Sequence, residues 1–303
     1  MPPAALGPDA GLGPLTHDGG MHILGELRQA LGAEVFRRVA GDEGPQRRDR
    51  IHLTPGPRWF PPDSAIRTVH SDASMFIGGL RALLLQSMHP VAMAAVAGHS
   101  GFRGDPWGRL QRTSTFLATT TFGTAEDAQR AVDVVRAIHE RVRGVTDEGI
   151  PYVASDPELL RWVHVAEIDS FLSAHQRYGA APLSAAGCDE YVAQAARVAE
   201  ALGATAVPTT TAELADCIDS YRPVLRGTPA ARDAAKFLLL TPPLPVPARA
   251  GYSLLAAAAV GLMPLWTRLP LRLPWFPLTE ATLVRAAGVA STSTIRWAMS
   301  APV

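Results

Sequence analysis

Residues 72–123 read DASMFIGGLRALLLQSMHPVAMAAVAGHSGFRGDPWGRLQRTSTFLATTTFG, and this stretch decides the fold. From Met75 to Gly98 it is apolar almost all round, a pattern that suits a helix buried on every side in a large core. Asp72 precedes the run, Pro90 is expected to bend it and Gly98 to end it. Asp105-Pro106 then reads as an N-cap with proline at the first helical position, opening a helix that stops at Gly123.

The same punctuation recurs further on. Thr124 with Asp127 resembles a capping box with the shorter acid, opening a helix expected to end at Gly144. Asp156-Pro157 opens another that closes at Gly179. Further helices are expected from Asp189 to Leu202, from the Thr210-Thr211-Ala212-Glu213 box to Tyr221, from about Ala230 to Leu240, and from Glu280 to Ala290 or beyond. Residues 241–249 form a proline-rich connector. No period-two strand and no internal repeat stands out, so the expected fold class is all-α, with residues 23–303 forming a single globular domain of roughly eight to ten helices. Residues 1–22 read as a flexible leader, without the basic start and apolar run of an export signal.

The 28 Lys+Arg balance 28 Asp+Glu, so no surplus charge offsets phosphates and nucleic acid is excluded as the main partner. With 47% hydrophobic and 18% charged residues the chain can bury one large core. Cys188 and Cys217, the two cysteines, are too few for a disulfide scaffold and fit a reducing, cytoplasmic location. Residues 250–267 carry no charge and admit three readings: a buried core helix, a helix lying on a membrane or lining a greasy entrance, or a span. The core helix leads, and peripheral membrane contact through 250–267 stays open.

Four groups could carry chemistry. His139 lies on the stripe Ala128, Val132, Val135, Val142, so it faces the core, either as a neutral imidazole bonded to a backbone carbonyl or as a ligand. Arg109, Arg112 and Thr113 share one helix face, either exposed or gathered around an anion. Combined, these two groups offer what haem needs for its iron and its propionates. Gln86, His89, Pro90, His99, Ser100 and Asp105 surround the end of the apolar run, as a site or as a hydrogen-bonded helix break. Trp162, His164, Glu167 and Asp169 follow no zinc-protease or di-iron spacing, and structural or supporting duty ranks ahead of metal ligation.

The run RALLLQSMHPVAMAAVAGHSGFRGDPWGRLQRTSTFLATTTFG, then IHERVRG, then YVASDPELLRWVHVAEIDSF, occurs in that order within about residues 60–180 and resembles the MpaB/rubber oxygenase (latex-clearing) catalytic domain. That resemblance implies an all-α fold around a haem b pocket, with His139 matching the proximal iron ligand. Arg109-Leu-Gln-Arg112-Thr113 matches the family's Arg-x-x-basic-Thr motif at the haem. It implies Arg109 and Thr113 at the haem or its bound oxygen, and Arg112 on the distal side or at a propionate. His89 and His99 fall in the family's HP and HS blocks and join the cofactor-binding set. The implied function is a haem b-dependent oxygenase acting on an apolar small molecule with O2 or peroxide; the alternative is a haem-binding sensor or carrier without turnover. In one respect the chain departs from rubber-cleaving members, which carry a carboxylate upstream of the Arg/Thr motif: residues 73–104 contain no Asp or Glu.

Overall fold

The computed structural model of the protein describes residues 18–100 and 104–300, without the side chains of residues 18–24, 27, 99, 100 and 247. The expected leader is therefore outside the described residues up to position 17, and residues 18–22 open the first helix. The helices are α1 (Asp18–Ala40), α2 (Gly44–Leu53), α3 (Ala65–His70), α4 (Met75–Gln86), α5 (Pro90–Ala95), α6 (Pro106–Phe122), α7 (Ala125–His139), α8 (Pro157–Tyr178), α9 (Ala185–Leu202), α10 (Thr211–Tyr221), α11 (Pro229–Leu240), α12 (Val246–Gly261), α13 (Leu265–Leu271), α14 (Pro277–Thr279) and α15 (Arg285–Met299). Val96–Ser100 and Glu280–Val284 are π-helical. The fold is all-α apart from one small hairpin, β1 (Arg143–Val145) and β2 (Pro151–Val153), which pairs Gly144 with Tyr152.

Side chains satisfy the first-turn amides where the sequence predicts caps. Asp105 Oδ1 accepts from Gly108 N at 2.9 Å, Thr124 Oγ1 from Asp127 N at 3.1 Å, Asp156 Oδ1 from Glu158 N at 2.9 Å, and Thr210 Oγ1 from Glu213 N at 3.2 Å. The α-helices outnumber the eight to ten expected, Gly98 lies inside a π-helical turn instead of ending its helix, α12 starts within the expected connector, and three further boundaries differ. The 75–98 run breaks into α4 and α5 at an angle of 104° rather than bending, because the residue before a proline is driven out of the helical region: His89 sits at φ −83°, ψ 114°. Helix α7 stops at His139, not Gly144, and the chain turns into the hairpin, where Ala154 N donates to Val142 O at 2.8 Å. Gly144 serves there as a close-approach position, since a Cβ would lie 2.6 Å from the Tyr152 hydroxyl. Finally, α9 begins at Ala185 under a Ser184 cap, while Asp189 caps a neighbour, accepting from Thr211 N at 2.8 Å.

The core lies between α4 and α8. Gly78 lets the two helices touch: a Cβ there would lie 2.9 Å from Phe171 Cδ1 and 3.1 Å from its Cα. Leu84, Leu85, Met88, Trp162, Val165 and Phe171 fill this contact, and α12 lies against α4 and α15. Ala256, Ala258, Ala259 and Val260 of α12 are buried, so the core reading holds for this part of 250–267. Past Gly261 the chain bends by 119° into α13. No single helix among the described residues is long and apolar enough to cross a membrane.

Candidate active site

Helices α6 and α7 form a hairpin through Gly123 and Thr124. Arg58 locks its turn by donating to Phe122 O, to Ile51 O at 2.9 Å and to Thr54 O at 2.9 Å, which satisfies carbonyls at the ends of α6 and α2. Arg109 in the first turn of α6 and His139 at the end of α7 therefore share the open end of the hairpin, nearly four turns or roughly 20 Å from its closed end. Helix α7 also packs on α9 and α9 on α8, while α3 touches α6, α8 and α9. These five helices close a ring.

At the open end both groups are partly buried, and burial shapes their charge. His139 is held below the ordinary imidazole range by burial, so the ring is neutral at physiological pH, the form in which imidazole ligates metals. Its Nδ1 is buried with no hydrogen-bond partner among the described residues, so the alternative of a core imidazole held through Nδ1 by a carbonyl finds no support here. Burial, with the nearby Arg112, also lowers the pKa of Arg109; a desolvated guanidinium favours an anionic partner.

The remaining motif residues sit elsewhere. Arg112 is exposed and pairs with Asp105 at 3.1 Å, and Thr113 is exposed. His89 caps α5, its Nδ1 accepting from Ala92 N at 3.4 Å. It lines a separate cleft of about 830 Å³ with Tyr152, Asp156, Arg161 and Tyr221, and neither Arg109 nor His139 lines that cleft. Gln86 Nε2 donates to Val163 O at 3.0 Å, which leaves it structural. The His99 side chain lies outside the described residues.

The group on α8 divides in two. Trp162 and Asp169 are structural: the indole donates to Gln86 O at 3.4 Å, and Asp169 pairs with buried Arg81 at 2.7 Å. His164 and Glu167 are not. They lie with Leu160 and Phe171 on one stripe of α8, which meets α9 through Leu160 packed with Ala199, and α3 through Phe171 against the His70 ring at 5.6 Å. His164 Nε2 is buried with no partner, and the Glu167 carboxyl makes no hydrogen bond or ion pair among the described residues. Burial pushes Glu167 up to about 7 and His164 down to about 4.

Next to this pair a short polar chain crosses the ring. His70 contacts Thr121 Oγ1 at 2.8 Å and the Tyr191 hydroxyl at 3.3 Å. Burial brings His70 to about 3, and burial with the charge of Glu167 raises Tyr191. The sequence signal for the α8 pair was present as two polar residues inside an apolar stripe, but spacing alone does not separate an unpartnered carboxyl from the paired Asp169 two positions later.

A family model described as "ER-bound oxygenase mpaB/B'/Rubber oxygenase, catalytic domain" matches residues 67–292. No curated protein and no solved structure matches the chain.

Proposed function

The chain belongs to the mpaB/rubber oxygenase catalytic-domain family, and from that premise we propose that it is a haem b oxygenase acting on an apolar small molecule with O2 or peroxide. One observation carries the cofactor assignment: the neutral, partly buried His139, whose Nδ1 lacks a partner among the described residues. Haem would ask the protein for as little as one nitrogen donor. No group of three or more His, Cys, Asp or Glu among the described residues is arranged for a bare metal ion, and a one-ligand cofactor is the better match to this donor set. When bound, haem supplies an iron centre that activates the oxidant beside an apolar substrate.

The chain's own residues then divide the work. With haem in place, His139 would hold the iron. Arg109 carries a desolvated positive charge that would balance a propionate. Arg112 reaches a propionate only by giving up Asp105, and Thr113 offers a hydroxyl one turn from Arg109. Glu167, beside the His70–Thr121–Tyr191 chain, has a pKa of about 7 and both releases and takes up a proton near neutral pH.

The test is an absorption spectrum of the purified protein before and after hemin is added, for wild type and His139→Ala. A Soret band lost in His139→Ala is expected; a band of equal strength in both variants overturns the ligand assignment. Arg109→Ala is expected to keep the band and lose turnover. A sensor or carrier would keep the band yet consume no oxidant with any apolar substrate offered.

A further inference from the structure

We propose that the face built from residues 265–289 docks on an anionic lipid surface. Its six most exposed apolar side chains are Leu269 (88% exposed), Leu278 (82%), Leu283 (70%), Leu265 and Phe276 (64% each) and Trp275 (59%). They come from α13, the following turn, α14 and the π-helical segment, close neighbours in the chain. So many large apolar side chains exposed within one short, tied-together segment mark an interaction site rather than ordinary surface.

The exposure is held in place from within. Buried Arg268 donates to Pro274 O at 2.6 Å and to both Glu280 oxygens at 2.9 and 3.0 Å, and Glu280 Oε1 accepts from Phe276 N at 3.2 Å. This clamp fixes the turn that carries Trp275 and Phe276, with Pro274 and Pro277 on either side, so the aromatic pair is presented outward by a tied-down loop.

Charge selects the occupant. Arg272 and Arg285 are exposed on this segment. Glu280, its only carboxylate, is taken up by Arg268. An isologous dimer through this face would bring its uncompensated arginines toward each other. Anionic headgroups instead pair with them while the indole and leucines enter the boundary with the acyl chains.

Sedimentation of the full-length protein with phosphatidylcholine vesicles, with and without phosphatidylserine, tests this. Binding to the serine-containing vesicles that weakens with salt is expected. Trp275→Ser/Phe276→Ser should abolish it, and Arg272→Gln/Arg285→Gln should weaken it roughly 30-fold. Trp275→Phe should bind like wild type but lose the lipid-induced blue shift of tryptophan emission. Circular dichroism unchanged from wild type shows that each variant is folded. The proposal is overturned by wild type that stays in the supernatant, by folded Trp275→Ser/Phe276→Ser or Arg272→Gln/Arg285→Gln variants that bind as wild type does, or by a lipid-indifferent dimer that Trp275→Ser/Phe276→Ser dissociates.

Discussion

The two sides of α8 handle their polar groups in opposite ways. Toward α4, Asp169 meets Arg81 at 2.7 Å, Arg81 also reaches Ser170 Oγ at 2.7 Å and Leu262 O at 3.0 Å, and the Trp162 indole has a carbonyl. Toward α9 and α3, His164 Nε2 and the Glu167 carboxyl have no partner among the described residues. Buried polar groups are nearly always satisfied, and leaving one unsatisfied costs stability. The paired side therefore holds the fold together, and the unpaired side is where a ligand, substrate or water has a hydrogen bond to supply.

Removing a partner on the paired side should do the most damage. Asp169→Ala strands the Arg81 guanidinium, which is only 4% exposed, and is expected to cost about 3–5 kcal/mol in chemical denaturation; a change near zero would remove the contrast between the two sides.

The unpaired side should respond in the other direction. The folded-state pKa of Glu167, about 7, lies above the ordinary glutamate value of 4.5, so between these values the folded protein binds more protons than the unfolded chain and stability falls as pH rises. Glu167→Gln removes that dependence and is expected to add roughly 3 kcal/mol at pH 8, with little change at pH 4. Denaturation midpoints at the two pH values decide it. A gain in stability accompanied by lost turnover would identify a group kept for chemistry at a cost to the fold.

The smallest of the three effects concerns how closely the paired side is packed. Gly78→Ala places a methyl against Phe171 backbone and ring and is expected to cost about 1–3 kcal/mol by overpacking. Phe171 also belongs to the stripe of His164 and Glu167, so the Soret band after hemin reads whether the clash is absorbed locally, and a band equal to wild type is expected. A lost band would show that the two sides of α8 are mechanically coupled.

How much of this was legible in the sequence follows the range of each interaction. The caps at Asp105, Thr124, Asp156 and Thr210 were readable because each bonds an amide two or three residues away. The part of the stripe inside α7, with Ala128 and Val132 buried and the buried Nδ1 of His139 at its end, was readable from helical period, but Val142 lies beyond the helix. The β1–β2 hairpin was not, since three-residue strands carry no periodicity and Gly144 looks like a helix stop whether it ends a helix or admits Tyr152. In the Arg109/Arg112/Thr113 motif, spacing put all three on one face, yet burial reached Arg109 while Arg112 found Asp105 in solvent. Within the uncharged stretch 250–267 the structure splits what composition treats as uniform: Ala256, Ala258, Ala259 and Val260 are buried, while Leu254 and Leu265 are exposed.

By itself, then, the sequence determined the all-α class, most of the helix starts, the absence of a net charge for nucleic acid, and the inward-facing histidine, because each depends on composition or on neighbours within a turn or two. Only the tertiary structure decided that α4 and α5 part at 104°, that Asp169 is paired and Glu167 is not, and that Trp275 and Phe276 stay outside. Those outcomes depend on which groups from distant parts of the chain arrive beside one another. Desolvation, which sets the charge of His139, His164 and Glu167, exists only once they have arrived.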